Sequence, residues 1–188
     1  MFFTPRRAIA ARDFDLIEDH LLRLSSSDRR LRFGLVATDE YIRSYLENAR
    51  ARKRDHWIVI ENGGIIEAAC HVALHENECE LGLSVDSSCR GLGYAQALFE
   101  RAMILVKARG INKVFMHCLS ENAAMRHIAT KNKMAVVSSH GESSASINID
   151  ISDTVSSLYK NEALDGIALI DTIVKTNMKV LQTIFNLK

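Results

Sequence analysis

The sequence predicts a mixed α/β (α+β) domain: one sheet with helices on both faces, followed by a helical extension. Three observations lead there. Three apolar runs between His56 and Val85 are separated by two short turn signals, which reads as an antiparallel run of strands. From Val85 onward the pattern is strand–helix–strand–helix–strand, and an alternating strand closes the order. Beyond Ser152 the apolar residues recur at helical spacing. The chain therefore divides into a domain over 1–152 and an amphipathic helical extension over 153–188.

In chain order, Phe3 to Ala11 is expected as a first strand centred on Ala8-Ile9-Ala10. Asp13 suits a helix N-cap, and Leu16, Ile17, His20, Leu21 and Leu24 follow at helical spacing. Ser25-Ser26-Ser27-Asp28 ends that helix, and Asp28 to Phe33 reads as a short helical turn. Thr38 caps the next helix, whose apolar stripe is Tyr41, Ile42, Tyr45 and Leu46 and which ends near Ala51. Arg50, Arg52, Lys53 and Arg54 complement the dipole at its C-terminal end. His56 to Glu61 and Ile65 to Leu74 are strands joined by the hairpin signal Asn62-Gly63-Gly64, and Glu78 to Val85 is the third. Tyr94 to Arg109 carries Leu98, Phe99, Ala102, Met103 and Val106 on one helical face, with Gly110 as its stop. Val114 to Cys118 is a short strand, Asn122 to Lys131 a helix, and Ala135 to Ser138 a strand. Ala145, Ile147, Ile149 and Ile151 then alternate with polar residues as a half-buried strand. In the extension, Leu158, Leu164, Ile167, Ile170, Val174 and Leu181 belong to a stripe that must be covered, by this domain or by a second copy in a homodimer.

Composition excludes several classes. The 188 residues suffice for one domain with a sizeable core. A hydrophobic share of 47% and a charged share of 25% exclude a disordered polyelectrolyte. A net charge of +1 gives no bulk attraction for nucleic acid or an anionic membrane, so neither partner is expected. Without a visible signal segment or an apolar run of spanning length, the expected location is cytoplasmic and the four cysteines are expected as free thiols. Cys70, His71, His75 and Cys79 cluster in sequence, but neighbours on a strand point to opposite faces, so no metal site is expected from them.

The most informative stretch runs from Val85 to Ala95, Val-Asp-Ser-Ser-Cys-Arg-Gly-Leu-Gly-Tyr-Ala, between a strand and a helix. A helix N-terminus presents free backbone N–H groups to an anion. Gly91 and Gly93 remove the Cβ atoms that would hold a phosphate away from the backbone, and Arg90 adds a positive charge. The spacing is neither the dinucleotide fingerprint nor the phosphate loop of nucleotide hydrolases. Arg90-x-x-Gly93-x-Ala95 after a strand resembles the pyrophosphate-binding signature of the GNAT acetyltransferase superfamily. Ser120-Glu121-Asn122-Ala123-Ala124-Met125 matches the place where that superfamily opens its fourth helix with an Asn. The resemblance covers Trp57 to Ile151.

That resemblance implies a GNAT-like, mostly antiparallel sheet and an N-acetyltransferase using acetyl-CoA as co-substrate, with no metal. The turn Arg90, Gly91, Leu92, Gly93, Tyr94 and Ala95 would hold the pyrophosphate. The backbone of Leu83, Ser84 and Val85, splayed from its parallel neighbour, would pair with the pantetheine arm, and the Val85 amide would donate to the thioester oxygen. Asn122 would bond the pantetheine or hold the strands apart; as a helix N-cap it needs no ligand at all. Glu80, five residues before Val85, would take the proton of the acceptor amine, with His71 and His75 as fallback bases. Family members often place a Tyr seven residues after the Asn to protonate the leaving thiolate; here that position is Ala129, so either Ser120 or Tyr159 supplies the proton or the thiolate leaves unprotonated. Asp28 to Phe33 is similar to a Leu-Arg-Phe segment preceding the domain in bacterial protein-lysine acetyltransferases. That short similarity does not choose the acceptor, which is expected to be a primary amine of a small molecule or a protein. The competing reading, favoured by Ala129, is a catalytically weak acyl-CoA-binding module that uses its helical tail to bind a partner.

Overall fold

The computed structural model describes residues 4–8, 10–150, 156–167 and 170. Strands β1 (Arg6–Arg7), β2 (His56–Asn62), β3 (Ile65–Leu74), β4 (Glu78–Val85), β5 (Lys113–Leu119), β6 (Ala135–Ser139) and β7 (Glu142–Asn148) form one sheet in the order β1-β2-β3-β4-β5-β7-β6. Every neighbouring pair is antiparallel except β4 and β5, which are parallel. Helices α1 (Ala11–Arg23), α2 (Ser26–Phe33) and α3 (Asp39–Ala51) precede β2, α4 (Tyr94–Ala108) joins β4 to β5, and α5 (Ala123–Lys131) joins β5 to β6.

Strand alternation divides the core in two. Ile58, Ile60, Leu81 and Leu83 face α4 and α5, where Leu98, Leu105 and Ile128 meet them. Trp57, Val59, Ile66 and Ala69 face the other way, against Ile17 and Leu21 of α1 and Ile42 and Leu46 of α3. The helices therefore cover both faces, and in β4 the residues that alternate with Cys79, Leu81 and Leu83, namely Glu80, Gly82 and Ser84, share the face that meets α1 and α2.

Several expected boundaries move, each for a local reason. The first strand is only Arg6–Arg7 among the described residues; Phe3 and Ile9 lie outside them. Asp13 is not the N-cap of α1: the helix begins at Ala11, and Asp13 caps it from inside by accepting the Ala10 amide at 2.9 Å. Helix α2 is longer than a turn because Ser25 accepts the Asp28 amide at 3.2 Å and Gly34 closes it with φ 77°. Strand β7 starts at Glu142, since His140 and Gly141 take up φ 51° and 88° in a tight hairpin. The tail expected over 153–188 lies outside the described residues apart from 156–167 and 170. The stretch 156–167 is helical, and Asn161 within it accepts from the buried Arg101 of α4 at 2.8 Å while Asp165 pairs with Arg7 at 2.5 Å.

Two histidines make stability depend on pH. Burial, aided by the charges of Arg109 and Arg7, brings His56 from 6.5 down to about 4. Burial also lowers His71, against the opposing pull of Asp55. Between about pH 6.5 and 4 the unfolded chain binds protons that the folded one refuses, so stability rises with pH across that window and is lost as pH falls through it. The thermal midpoint is expected to drop steadily from pH 7 to pH 4, and His56→Gln to flatten part of the drop. Parallel curves for variant and wild type would mean that His56 carries none of it.

Candidate active site

The parallel pair β4–β5 is short. Glu78, Cys79 and Glu80 pair with Lys113, Val114 and Phe115, and there the pairing stops. From Leu81 to Val85, β4 stays bonded to β3 on one side, while β5 continues beside β7. The two strands part, and the outward backbone edge of β4 faces a cleft of about 440 Å³. Leu83, Ser84 and Val85 line one wall, Asn122, Met125 and Ile128 another, and α2 contributes Asp28, Leu31 and Arg32. An open strand edge of this kind accepts an extended amide-bearing chain as an added strand.

At the end of β4 the chain makes one 3₁₀ turn over Ser87–Cys89 and then turns into α4. Gly91 has φ 76° and Gly93 φ 85°, a region that side-chain-bearing residues rarely occupy. A Cβ at either glycine would meet nothing within 4 Å, so backbone conformation and the open space in front explain them, not crowding. Gly93 is the N-cap of α4 and offers no side-chain acceptor, and the first intrahelical bond there is Ala97 N–H to Gly93 O at 3.0 Å. The amides of Ala95 and Gln96 have no acceptor within the helix and sit at its positive end, facing the cleft. Leu92 is 53% exposed and does not line the cleft. The Tyr94 side chain is buried and donates to Glu67 at 3.0 Å.

Helix α2 spans the mouth of the cleft, a role that the reading of this segment as a short turn missed. Asp28 pairs with Arg90 at 2.5 Å on the β4 side. On the β5 side Arg30 pairs with Glu121, and Asn122 donates to Leu31 O at 3.2 Å. Asn122 also caps α5 by accepting the Met125 amide at 3.1 Å, so its carboxamide links α2 to the far wall. The signal for α2 was present in its sequence: a Ser25 cap ahead of three arginines whose charges need partners. Behind β4, Ser84 meets His20 at 2.9 Å, and His20 reaches Asp86 at 3.0 Å. Burial alone would raise the Asp86 carboxyl, but hydrogen bonds from His20 and Arg23 hold it below its ordinary value.

Glu80 is the last β4 residue with a β5 partner, at the apex where the strands divide. It is half-buried, flanked across the sheet by Ala73 and Phe115, and makes no ion pair with a described residue. It does not line the cleft with Leu83 to Val85. His71 is unsuited as a free base: its Nδ1 meets Tyr45 Oη at 2.6 Å, its Nε2 meets Asp55 at 3.0 Å, and its ring stacks on Trp57 at 4.6 Å. His75 is exposed in the β3–β4 turn, stacked on Phe115 at 6.3 Å. Ala129 is buried in the core beside Ile128. Ser120 bonds to Ser143 at 3.0 Å and Tyr159 is 75% exposed, and neither lines the cleft. Cys70 turns to the α4 core and His71 to the opposite face, and among the described residues no group of three His, Cys, Asp or Glu side chains is placed to hold a metal ion.

The family model of the acetyltransferase (GNAT) family matches residues 21–133. No curated protein matches the chain. Among solved structures, the GNAT domain of S. lividans PAT superposes with a TM-score of 0.69 at 16% identity, over 77% of this chain and 89% of that one. The PaiA N-acetyltransferase of Thermoplasma acidophilum, in complex with coenzyme A, gives 0.61 at 12% identity over 79% and 100%. RimL, a ribosomal L7/L12 alpha-N-protein acetyltransferase in complex with coenzyme A, gives 0.60 at 16% identity over 78% and 94%. No helix among the described residues is long and apolar enough to cross a membrane.

Proposed function

The chain belongs to the acetyltransferase (GNAT) family, and from that premise we propose that it transfers an acetyl group from acetyl-CoA to a primary amine by direct attack on the thioester. The observation that carries this reading is the parting of β4 from β5 beside a turn of two positive-φ glycines. The nucleotide pyrophosphate fits the helix-end amides of Ala95 and Gln96 beside the Gly91–Gly93 turn, with Arg90 next to them. The pantetheine arm fits the free edge of Leu83, Ser84 and Val85, and the Val85 amide is the donor for charge developing on the thioester oxygen. Glu80 takes the ammonium proton, the nitrogen bonds to the carbonyl carbon, and the carbon–sulfur bond breaks as the nitrogen gives its second proton to water, leaving the neutral amide. A thiol pKa near ~8.5 lets the coenzyme leave as thiolate without a dedicated acid, which suits the absence of a hydroxyl at Ala129. The four cysteines are unpaired, in keeping with work in the reducing cytoplasm.

Ala129 also favours a second reading, an acyl-CoA-binding module of little turnover whose helical tail engages a partner. Calorimetric titration with acetyl-CoA, coenzyme A and ATP tests the shared premise. Acetyl-CoA is expected to bind in the micromolar range, about 8 kcal/mol, and ATP, which lacks the pantetheine arm, more weakly. Binding by none of the three would reduce the glycine turn to an ordinary strand–helix junction. Binding without turnover of any amine would select the second reading.

A further inference from the structure

The charges of α2 are matched with one exception. Asp28 pairs with Arg90, Arg29 with Asp39 at 2.7 Å, and Arg30 with Glu121. Arg32 lines the cleft, yet no described carboxylate lies within ion-pair distance of it. Its Nε is buried without an acceptor, and its Nη1 has none among the described residues. A positive charge held in a partly enclosed site without a counter-ion is costly unless something supplies one.

The guanidinium is also firmly placed. It lies flat on β4 at Gly82, where a Cβ would come within 2.5 Å of Cζ and 2.7 Å of Nη1, so glycine there makes room for it. It rests over the Phe33 ring at 4.9 Å and beside the Tyr45 ring at 5.6 Å. Nη2 donates to Tyr45 Oη at 2.9 Å; the Tyr45 hydroxyl donates to His71 Nδ1 at 2.6 Å; His71 Nε2–H donates to the buried Asp55 at 3.0 Å. Every donor in that chain has one acceptor, and the order requires neutral His71, in keeping with its lowered pKa. One arm of the guanidinium is thus tied down while its other N–H groups are left without protein acceptors.

Its position gives those groups a task. Glu80, Gly82 and Ser84 share one face of β4, about 7 Å apart at successive steps, so Arg32 sits between the proposed base and the proposed thioester site. Resting on the acetyltransferase reading, we propose that Arg32 receives a substrate carboxylate a few bonds from the reacting centre. Either the acceptor is an amine that carries a carboxylate, as amino acids do, or the acyl chain itself ends in one, as in succinyl-CoA. Tyr45, His71 and Asp55 are positioning residues for the guanidinium.

The test uses the full chain and matched probes. Amino acids, β-alanine and γ-aminobutyrate are each compared with their primary amides as acceptors from acetyl-CoA; succinyl-CoA is compared with butyryl-CoA as donor to a neutral amine. An α-amino acid amide is the less basic amine and is more often unprotonated, so chemistry alone favours the amide. An acid preferred by roughly 10- to 100-fold in kcat/KM, the range of a hydrogen-bonded charge, supports the proposal, and the arm in which it occurs identifies the source. Arg32→Gln is expected to bring acid and amide level, Arg32→Lys to keep part of the preference, and Tyr45→Phe to raise KM for the acid more than it lowers kcat. The same pairs titrated against Trp57 fluorescence in the presence of coenzyme A give a readout that needs no turnover. Acid selectivity in binding without turnover supports the proposal and sinks the enzyme. Turnover with no acid preference in either arm, or one that survives Arg32→Gln, overturns the proposal and leaves the enzyme standing. If nothing binds in any arm, both fail.

Discussion

Glu80→Gln is expected to lower kcat by about 10²- to 10⁴-fold, the usual contribution of a positioned general base, while acetyl-CoA affinity stays within about twofold. The amide keeps the shape and hydrogen-bonding length of the carboxylate but cannot accept the ammonium proton. Glu80 is suited to the part because it lies where β4 leaves β5, with a carboxylate uncommitted to any described Lys or Arg. The nearby ion pair on this strand is Lys113 with Glu78 at 2.9 Å, two residues away and on the same side. Binding should survive because β4 lines the cleft only from Leu83 to Val85, and Glu80 does not. Stopped turnover with intact calorimetric binding assigns the base. If kcat is unchanged, His75 becomes the candidate, since it stacks on Phe115, the β5 partner of Glu80. His71 does not, because both of its ring nitrogens are engaged.

What could be read from the chain follows from where the information lies. The β3 and β4 bounds were legible because alternation and turn residues are local: Asn62-Gly63-Gly64 supplies the positive φ that a tight hairpin demands. The glycine turn was legible for the same reason, since two positive-φ positions before a helix are a backbone requirement written in residue type. The end of α1 was local too, whereas its start was not: Asp13 reads equally as N-cap or as third residue, and its ion pair with Arg6, distant in the helix pattern, goes with the second. The parting of β4 from β5 was reached only through a family resemblance, because pairing between residues as distant in sequence as Glu78 and Lys113 leaves no local trace. Arg32 illustrates the limit. Nothing in Leu31-Arg32-Phe33 distinguishes it from Arg29 or Arg30; its lack of a described carboxylate partner emerges only when α2 is laid on β4.

Gly93→Glu is expected to weaken acetyl-CoA binding by more than about 100-fold. Three effects act together. The residue sits at φ 85°, where an ordinary side chain costs about 1–2 kcal/mol. Its Cβ would enter the open space in front of the α4 amides, the space proposed for the pyrophosphate, because nothing of the protein lies within 4 Å to receive it. Its carboxylate would place a negative charge at the helix N-terminus, compete there for the donors and for Arg90, and repel the phosphates. Gly93→Ala separates these terms: it carries the backbone strain and the Cβ but no charge, so it should lower the thermal midpoint by a similar amount and weaken binding far less. The strain falls on the start of α4, whose Leu98 and Leu105 anchor it in the core, so both variants should remain folded. If Gly93→Glu binds acetyl-CoA as the wild type does, the pyrophosphate does not lie on this turn. If alanine and glutamate weaken binding equally, conformation and not charge is what the turn contributes. A large excess for glutamate means that the positive end of α4 holds the phosphates, which makes Asp28, already bound to Arg90 at 2.5 Å, the carboxylate that the arriving nucleotide must displace.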